Sequence, residues 1–305
     1  MPTELLPIDP ALRIGSVSLA VSDLSRSADF YERVLGLPLI SREPSSALLG
    51  PDREHPLLAL TELTEPTATP PGATGLFHVA YLHSSRAALA ATVRRVVSSR
   101  WTFDGAADHG VSEALYLSDP DGLGIEVYVD RPREQWERPA DGHGVKMVTL
   151  PLDLEDLLAQ AAPEATAAMG AGSTIGHVHL KVSDVPRAVS FYRDALGLQE
   201  QAHLPSAGFL SAGGYHHHIG ENSWQSQGGE PAPDSAPGLR LVEFELSDAD
   251  ALEALEHRLA GVGAGTEAGG GAETGGSSLP ARENDERLTL RDPDGHALAF
   301  GSFGY

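Results

Sequence analysis

The chain has 305 residues, of which 41% are hydrophobic and 21% are charged, a balance typical of a globular protein. Asp and Glu (43) outnumber Lys and Arg (21), and the formal net charge of −22 disfavours nucleic acid, whose phosphates are also negative. There is no cysteine, which excludes disulfides, zinc–thiolate sites and cysteine nucleophiles, so any metal must be held by His, Asp or Glu.

The first fifteen residues lack the basic start and apolar core of a signal peptide. No apolar run approaches the length needed to span a membrane. We therefore expect a cytoplasmic protein with no membrane partner.

The first predicted elements recur along the chain. Residues 15–37 (GSVSLAVSDLSRSADFYERVLGL) and 176–198 (GHVHLKVSDVPRAVSFYRDALGL) align without a gap. Each begins with alternating apolar and polar residues, which predicts a half-buried strand. Ser-Asp then supplies an N-cap for a helix that Gly36 or Gly197 ends.

A second, looser pair of segments follows each copy. Residues 75–128 and 238–300 each run from a strand through a helix, predicted at 86–99 and 248–261, to two strands around an Asp-Pro-Asp-Gly turn. The later copy carries a Gly-rich insertion at 261–278, which predicts a mobile loop.

The repeats divide the chain into four strand–helix–strands modules and two domains. A linker at 132–173, helical in part over 151–162, joins an N-terminal domain (1–131) to a C-terminal domain (174–305). Modules one to four are predicted at 12–64, 74–131, 174–226 and 238–305.

The paired modules, the VSDL…FY…LGL pattern and the DPDG-x-x-I-E ending resemble the vicinal oxygen chelate superfamily, which includes glyoxalase I, bleomycin resistance proteins and extradiol dioxygenases. Four modules in one chain are most similar to the type I extradiol enzymes, the catechol 2,3-dioxygenase group. The resemblance implies an α+β fold of βαβββ modules that pair into two curved-sheet cups, one or both of which hold a metal.

The resemblance also implies ligand positions, namely a His in a module's first strand and a Glu in its last. Module two has His78 and Glu126, and module three has His177. The matching positions elsewhere carry side chains that do not bind metals: Ser16 in module one, and Leu241 and Ala299 in module four.

These blanks predict which modules pair. If neighbouring modules paired in sequence, neither cup would hold a complete ligand set. If module two pairs with module three, one cup holds His78, Glu126 and His177, and the cup of modules one and four holds none. We therefore predict 2+3 and 1+4 pairing, with one metal per chain.

Two imidazoles and one carboxylate form the facial triad of non-heme Fe(II) oxygenases. The three open positions suit a diol and dioxygen. We expect Fe(II), with Mn(II) as an alternative, dioxygen as co-substrate, and a small aromatic diol, a catechol or hydroquinone, as substrate.

Three more residues are implied by the resemblance to the ring-cleaving enzymes. His217, in FLSAGGYHHHIGENSW, matches the acid–base His, and strand alternation would turn His216 and His218 away from the cavity. Tyr116 matches a substrate-binding Tyr ten residues before the Glu. His109 matches a further His, although it lies seven rather than nine residues before that Tyr. The role of His179 is left open.

Two other functions are considered. Glyoxalase-like chemistry generally uses a second carboxylate ligand, which is not found. A protein that sequesters an aromatic compound without catalysis would not need the triad. Whether the 1+4 cup binds anything, and whether the chain forms a homo-oligomer, are left open.

Overall fold

The computed structural model describes residues 7–140, 142–161, 168–261 and 287–302, and the backbone of 281–284. The Gly-rich insertion lies outside the described residues from 262 to 278.

Each predicted module is a strand, a helix and three further strands. The strands of modules one and two are β1 (Arg13–Val21), β2 (Leu39–Arg42), β3 (Ser46–Leu49), β4 (Leu58–Glu62), β5 (Gly75–Leu82), β6 (Gly105–Asp108), β7 (Ser112–Ser118) and β8 (Gly124–Asp130). Those of modules three and four are β9 (Thr174–Lys181), β10 (Gln199–Leu204), β11 (Ala207–Ser211), β12 (Ile219–Asn222), β13 (Gly238–Leu246), β14 (Ala281–Asn284), β15 (Arg287–Arg291) and β16 (Ala297–Ser302).

The helices follow the first strand of each module. They are α1 (Leu24–Phe30), α2 (Arg86–Ser98), α4 (Val185–Ser190) and α5 (Ala249–Gly261), with α3 (Leu154–Ala159) in the predicted linker. The side chains of Asp23 and Asp184 cap α1 and α4, as the repeat predicts. Each of these two helices continues into one π-helical turn, Tyr31–Leu35 and Phe191–Ala195.

The modules meet through their first strands. β5 runs antiparallel to β9, and β1 runs antiparallel to β13. The strand order β6-β7-β8-β5-β9-β12-β11-β10 forms one sheet of modules two and three, the 2+3 sheet. The order β14-β15-β16-β13-β1-β4-β3-β2 forms the 1+4 sheet. The two sheets touch at Ile14 and Ile175.

One hydrophobic cluster runs through both sheets and the faces of the helices. It includes Val17 and Leu19 of β1, Leu89 of α2, Val178 of β9 and Phe244 of β13, all nearly inaccessible to solvent. Burial of this kind is the main stabilising contribution in a domain of this size. The predicted domain limits, 1–131 and 174–305, stay a prediction, because the sheets join strands from both halves of the chain.

A candidate metal centre and its cavity

The three predicted ligands lie together and are buried. The Nε2 atoms of His78 and His177 are 3.3 Å apart. The Glu126 Oε2 atom lies 3.0 Å from His78 Nε2 and 3.1 Å from His177 Nε2. All three side chains come from central strands of the 2+3 sheet, β5, β8 and β9.

Strand register explains why they converge. Ala80 of β5 lies opposite Glu126 of β8 on one side and opposite His177 of β9 on the other. Side chains in one cross-strand row point to the same face of the sheet. His78 points to that face as well, because it lies two residues before Ala80 on β5. Because Ala80 has only a methyl group, the three longer side chains meet above it.

The equivalent row of the 1+4 sheet has the opposite arrangement. There Glu243 of β13 lies between Ala299 and Ser16, so the long side chain is central and its neighbours are short. Ser16 donates a hydrogen bond to Glu243, and Arg287 forms an ion pair with it at 2.8 Å. This row contains none of the three ligands, and its carboxylate is already paired.

The electrostatics of the buried group favour the ligand forms. Burial alone would raise the pKa of Glu126, but the imidazoles of His177 and His78 hold it well below its usual range. Burial lowers the pKa of His177 to about 4, although Glu126 opposes the shift. At neutral pH the carboxylate is therefore charged and His177 is neutral, as metal binding requires.

The donor spacing fits a divalent ion. Adjacent ligands of an octahedral ion with bonds of about 2.1 Å lie about 3 Å apart. The observed separations are 3.0–3.3 Å. Two imidazole nitrogens and one carboxylate oxygen are also the donor set of the non-heme Fe(II) triad.

A second group of donors shares His177. Atoms of His177, His216 and His217 also lie within 4.8 Å of one another. This group has no carboxylate, and a short hydrogen bond of 2.7 Å joins the Nδ1 atoms of His216 and His217. The triad with Glu126 is therefore the better match to a divalent iron site.

Tyr116 and His109 lie beside the triad and contact each other. Tyr116 of β7 is the cross-strand partner of Glu126. Its hydroxyl lies 2.6 Å from His109 Nε2, and His109 Nδ1 lies 2.7 Å from the carbonyl oxygen of Val148. A carbonyl only accepts, so Nδ1 carries the hydrogen and a neutral His109 accepts the Tyr116 hydroxyl at Nε2. Burial raises the pKa of Tyr116, so it stays a donor.

His217 lines the cavity as predicted, but the reason given for its neighbours was wrong. His216, His217 and His218 lie in an irregular segment before β12, so strand alternation does not apply. The backbone turns instead after Gly213 and Gly214, both with positive φ. His217 packs on the ring of His177 with centroids 3.9 Å apart, whereas the other two are buried away from the cavity.

The triad opens into a cavity of about 620 Å³. The cavity wall carries the three predicted ligands with Tyr116 and His217, and it also carries aromatic and aliphatic side chains. The predicted linker contributes to the wall, because Met147, Val148 and Thr149 line it. The aromatic and aliphatic wall residues include Phe77, Leu204, Phe209 and Trp224.

Residues 13–127 and 174–300 match the Glyoxalase/Bleomycin resistance protein/Dioxygenase superfamily, which covers most of the chain. The chain belongs to this superfamily. The match includes every ligand position of the triad.

Two dioxygenases are similar to this chain in sequence. A catechol-2,3-dioxygenase of Bacillus subtilis strain 168 is 40% identical over 253 residues, which are 82% of this chain and 88% of that protein. A biphenyl-2,3-diol 1,2-dioxygenase of Rhodococcus globerulus is 30% identical over 121 residues, which are 39% of this chain and 63% of that protein.

Solved structures of the superfamily share the fold. Glyoxalase I from Zea mays superposes with a TM-score of 0.54 at 17% identity, covering 96% of this chain and 92% of that one. At this identity the likeness supports the vicinal oxygen chelate fold alone. Within the described residues, no helix is long and apolar enough to cross a membrane.

The structure places two further histidines, His179 and His216, close to the site, and the sequence pattern had indicated no role for either. His179 is buried, lines the cavity, and lies opposite His78 in the β5–β9 ladder. His179 lies two residues after His177, so the sequence places both side chains on the same face of the strand, but it indicates no function for His179. His216 lies behind His217, which depends on a loop that the sequence pattern did not reveal.

Proposed function

We propose that this protein is an Fe(II)-dependent extradiol dioxygenase that opens the ring of a catechol- or hydroquinone-type diol with dioxygen. Its class as a dioxygenase is shared with the 40% identical catechol-2,3-dioxygenase. The observation that carries the proposal is the spacing of the triad beside His217, Tyr116 and His109 in a single cavity.

His78, His177 and Glu126 would hold the iron. When bound there, Fe(II) would supply a Lewis acid for the diol and a redox-active site for dioxygen. The same ligands also accept Mn(II), so the choice of iron rests on the proposed reaction. A glyoxalase-like reaction is the alternative, and the second carboxylate ligand that it generally uses is absent from the triad group.

His217 is the proposed acid–base residue. Its Nδ1 is engaged with His216, so Nε2 is the nitrogen that can take a proton from a diol hydroxyl and return it later. Burial lowers the pKa of His217 well below its usual range, which keeps the imidazole neutral and able to accept. Positioned acid–base help of this kind is worth about 10²–10⁴-fold in rate.

Tyr116 and His109 are proposed to bind the diol oxygen on the other side. The Tyr116 hydroxyl donates its one hydrogen to His109, which is held by Val148, so the Tyr116 oxygen can accept a hydrogen bond from a diol hydroxyl. A partner that is held in place before the substrate arrives orients the diol at a low entropic cost.

The cavity wall favours a neutral, apolar substituent on the ring. Among the described residues that line the cavity there is no Lys or Arg to pair with a carboxylate. The rings of Phe77 and Trp224 lie edge to face with centroids 5.4 Å apart, and Trp224 is half exposed. The ring of Phe209, also in the wall, lies 5.1 Å from that of His217. Flat aromatic walls suit an alkyl or aryl group.

Anaerobic reconstitution tests the proposal. The protein is loaded with Fe(II), mixed with catechols and hydroquinones bearing either alkyl or carboxylate groups, and exposed to air. We expect oxygen uptake and a coloured ring-opened product, with higher kcat/KM for alkyl than for carboxylate substrates. The Glu126→Ala variant should lose both iron and uptake. No uptake by the iron-loaded wild type with any diol would contradict the proposal.

A further inference from the structure

A chain of two hydrogen bonds extends from His217 away from the cavity. His217 Nδ1 lies 2.7 Å from His216 Nδ1, and His216 Nε2 lies 2.9 Å from an Oδ1 atom of Asp130. These two hydrogen bonds therefore connect the cavity wall, through the fully buried imidazole of His216, to the carboxylate of Asp130 at the end of β8.

The middle imidazole is held firmly in place. The ring of Tyr215 packs on His216 with centroids 4.1 Å apart, and Trp136 lies 5.5 Å away on the basis of ring centroids. Tyr215 also donates its hydroxyl to Asp130 at 3.2 Å. Neither His216 nor Asp130 lines the cavity, so neither can touch a substrate there.

Donor and acceptor rules fix the direction of both hydrogen bonds. An ionised carboxylate only accepts, so His216 donates to Asp130 from Nε2. A neutral His216 then has an unprotonated Nδ1, which accepts from His217 Nδ1. His217 consequently carries its hydrogen on Nδ1, and its Nε2 is left with a free lone pair.

We propose that His216 and Asp130 are positioning residues that hold His217 in the tautomer and orientation its acid–base role needs. The inference rests on the proposed function, since it deepens the role of His217. It uses the same physical arrangement as an imidazole oriented by a carboxylate in a hydrolase triad, with a second imidazole inserted between the two groups.

The same residues would behave differently if His216 were a metal ligand. The donors of His177, His216 and His217 lie within 4.8 Å of one another, so this is the competing assignment. Replacing a metal ligand lowers the iron content, whereas replacing a positioning residue lowers kcat and leaves the iron in place. A single substitution of His216 therefore distinguishes the two roles.

The test variant is His216→Phe, which keeps a ring of similar size and removes the acceptor for His217. We expect iron content near that of the wild type, KM within about twofold, and kcat lowered about 10–100-fold. The matched control is His218→Phe, which replaces a neighbouring buried imidazole that belongs neither to the hydrogen bonds from His217 to Asp130 nor to the cavity wall. Its kcat should stay within about twofold of the wild type.

A second measurement, which does not depend on enzyme activity, reports the tautomer of His217 directly. Long-range ¹H–¹⁵N spectra of the metal-free wild type, with His217 assigned by its loss in His217→Phe, should show hydrogen on Nδ1 of His217. In Asp130→Asn, whose amide can donate to His216, that preference should weaken. These spectra report on His217 even if His216→Phe fails to fold.

Two results would overturn the inference. One is hydrogen on Nε2 of His217 in the metal-free wild type, and the other is loss of iron in a folded His216→Phe variant. A wild type with the expected tautomer and no turnover on any diol would instead contradict the proposed function, so the two failures can be told apart.

Discussion

At the scale of single residues, the candidate metal centre depends on a methyl group. Ala80 lies between Glu126 and His177 in one cross-strand row, and its small side chain leaves room for both and for His78. In the 1+4 sheet, Glu243 takes the central position and the flanking residues are short. The order of small and large side chains across a row therefore decides which sheet can gather ligands.

The first prediction concerns His217. His217→Phe keeps an aromatic ring against His177 and removes the nitrogen that faces the cavity. We expect unchanged iron content and a kcat about 10²–10⁴-fold lower, measured by oxygen uptake. His218→Phe is the control, because His218 is buried outside the cavity. Equal losses of kcat in both folded variants would argue against an acid–base role for His217.

The second prediction concerns Glu221 of β12, which is 0% exposed. Burial and the nearby charges of Asp292, Asp294 and Glu200 raise its pKa well above the usual value of 4.5. A carboxyl with a raised folded-state pKa contributes fully to stability below its unfolded pKa, and that contribution is lost as pH rises. Glu221→Gln should therefore stabilise the protein increasingly above about pH 5.

Thermal unfolding at several pH values measures this effect. We expect the Tm of Glu221→Gln to exceed that of the wild type by about 2–4 °C at pH 8, and by less at pH 5. Glu65→Gln, at an exposed position, should match the wild type at both pH values. A Tm difference that does not change with pH would exclude the titration of Glu221 as its cause.

At the scale of elements, the Asp-Pro-Asp-Gly turns do more than join two strands. Asp119 accepts a hydrogen bond from Tyr31 at 3.1 Å, and Asp292 accepts one from Tyr192 at 3.0 Å. Each turn thus binds the helix end of the preceding module. Sequential modules are tied by these turns, although their sheets pair in the 2+3 and 1+4 order.

Helices α1 and α4 each end in a π-helical turn that is followed by a glycine. Gly36 has φ +84°, and a Cβ atom there would lie 2.1 Å from an Nη1 atom of Arg95, which donates to the Leu35 carbonyl. Gly122, in the first Asp-Pro-Asp-Gly turn, has φ +81° and nothing within 4 Å of such an atom. The two glycines share a backbone conformation and differ in the space around them.

The third prediction compares these glycines. Gly122→Ala should lower the free energy of unfolding by about 1–2 kcal/mol, the cost of the left-handed conformation alone. Gly36→Ala should cost about 1–3 kcal/mol more, because the buried guanidinium must move. Urea denaturation of both variants checks this. Equal losses would mean that Arg95 shifts without cost.

At the scale of the whole molecule, the candidate metal centre joins the two halves of the chain. His78 and Glu126 come from the predicted N-terminal domain, and His177 comes from the C-terminal one. The wall of the cavity includes Met147 and Val148 from the segment between them. A ligand bound to the folded state alone stabilises it by mass action.

The fourth prediction follows from this shared site. Fe(II) at about 100 times its Kd should stabilise the wild type by about 2.7 kcal/mol, measured by anaerobic urea denaturation. His78→Ala and His177→Ala should each abolish the gain, since each variant lacks one of the three proposed ligands and the two substitutions lie in different halves of the chain. Stabilisation that persisted in His177→Ala would indicate that the ion binds elsewhere.

The sequence by itself determined the repeat, the helices and the candidate ligands. Apolar periodicity, N-cap residues and C-cap glycines are local signals, so the helices at 86–99 and 248–261 were predicted closely. The complementary blanks at Ser16, Leu241 and Ala299 even predicted which first strands lie side by side. The helix predictions succeed because caps and apolar spacing act within one helix. The strand pairing could be inferred because a metal site needs its ligand types in one place.

Only the tertiary structure decided what lies around those ligands. The register that puts Ala80 between Glu126 and His177, the linker segment that holds His109 through Val148, and the loop that stacks His216 behind His217 all join residues far apart in the chain. Such contacts depend on packing and strand pairing rather than on local pattern. For that reason the convergence of His78, Glu126 and His177 could be predicted from the sequence, whereas the supporting hydrogen bonds and the aromatic wall of the cavity could not.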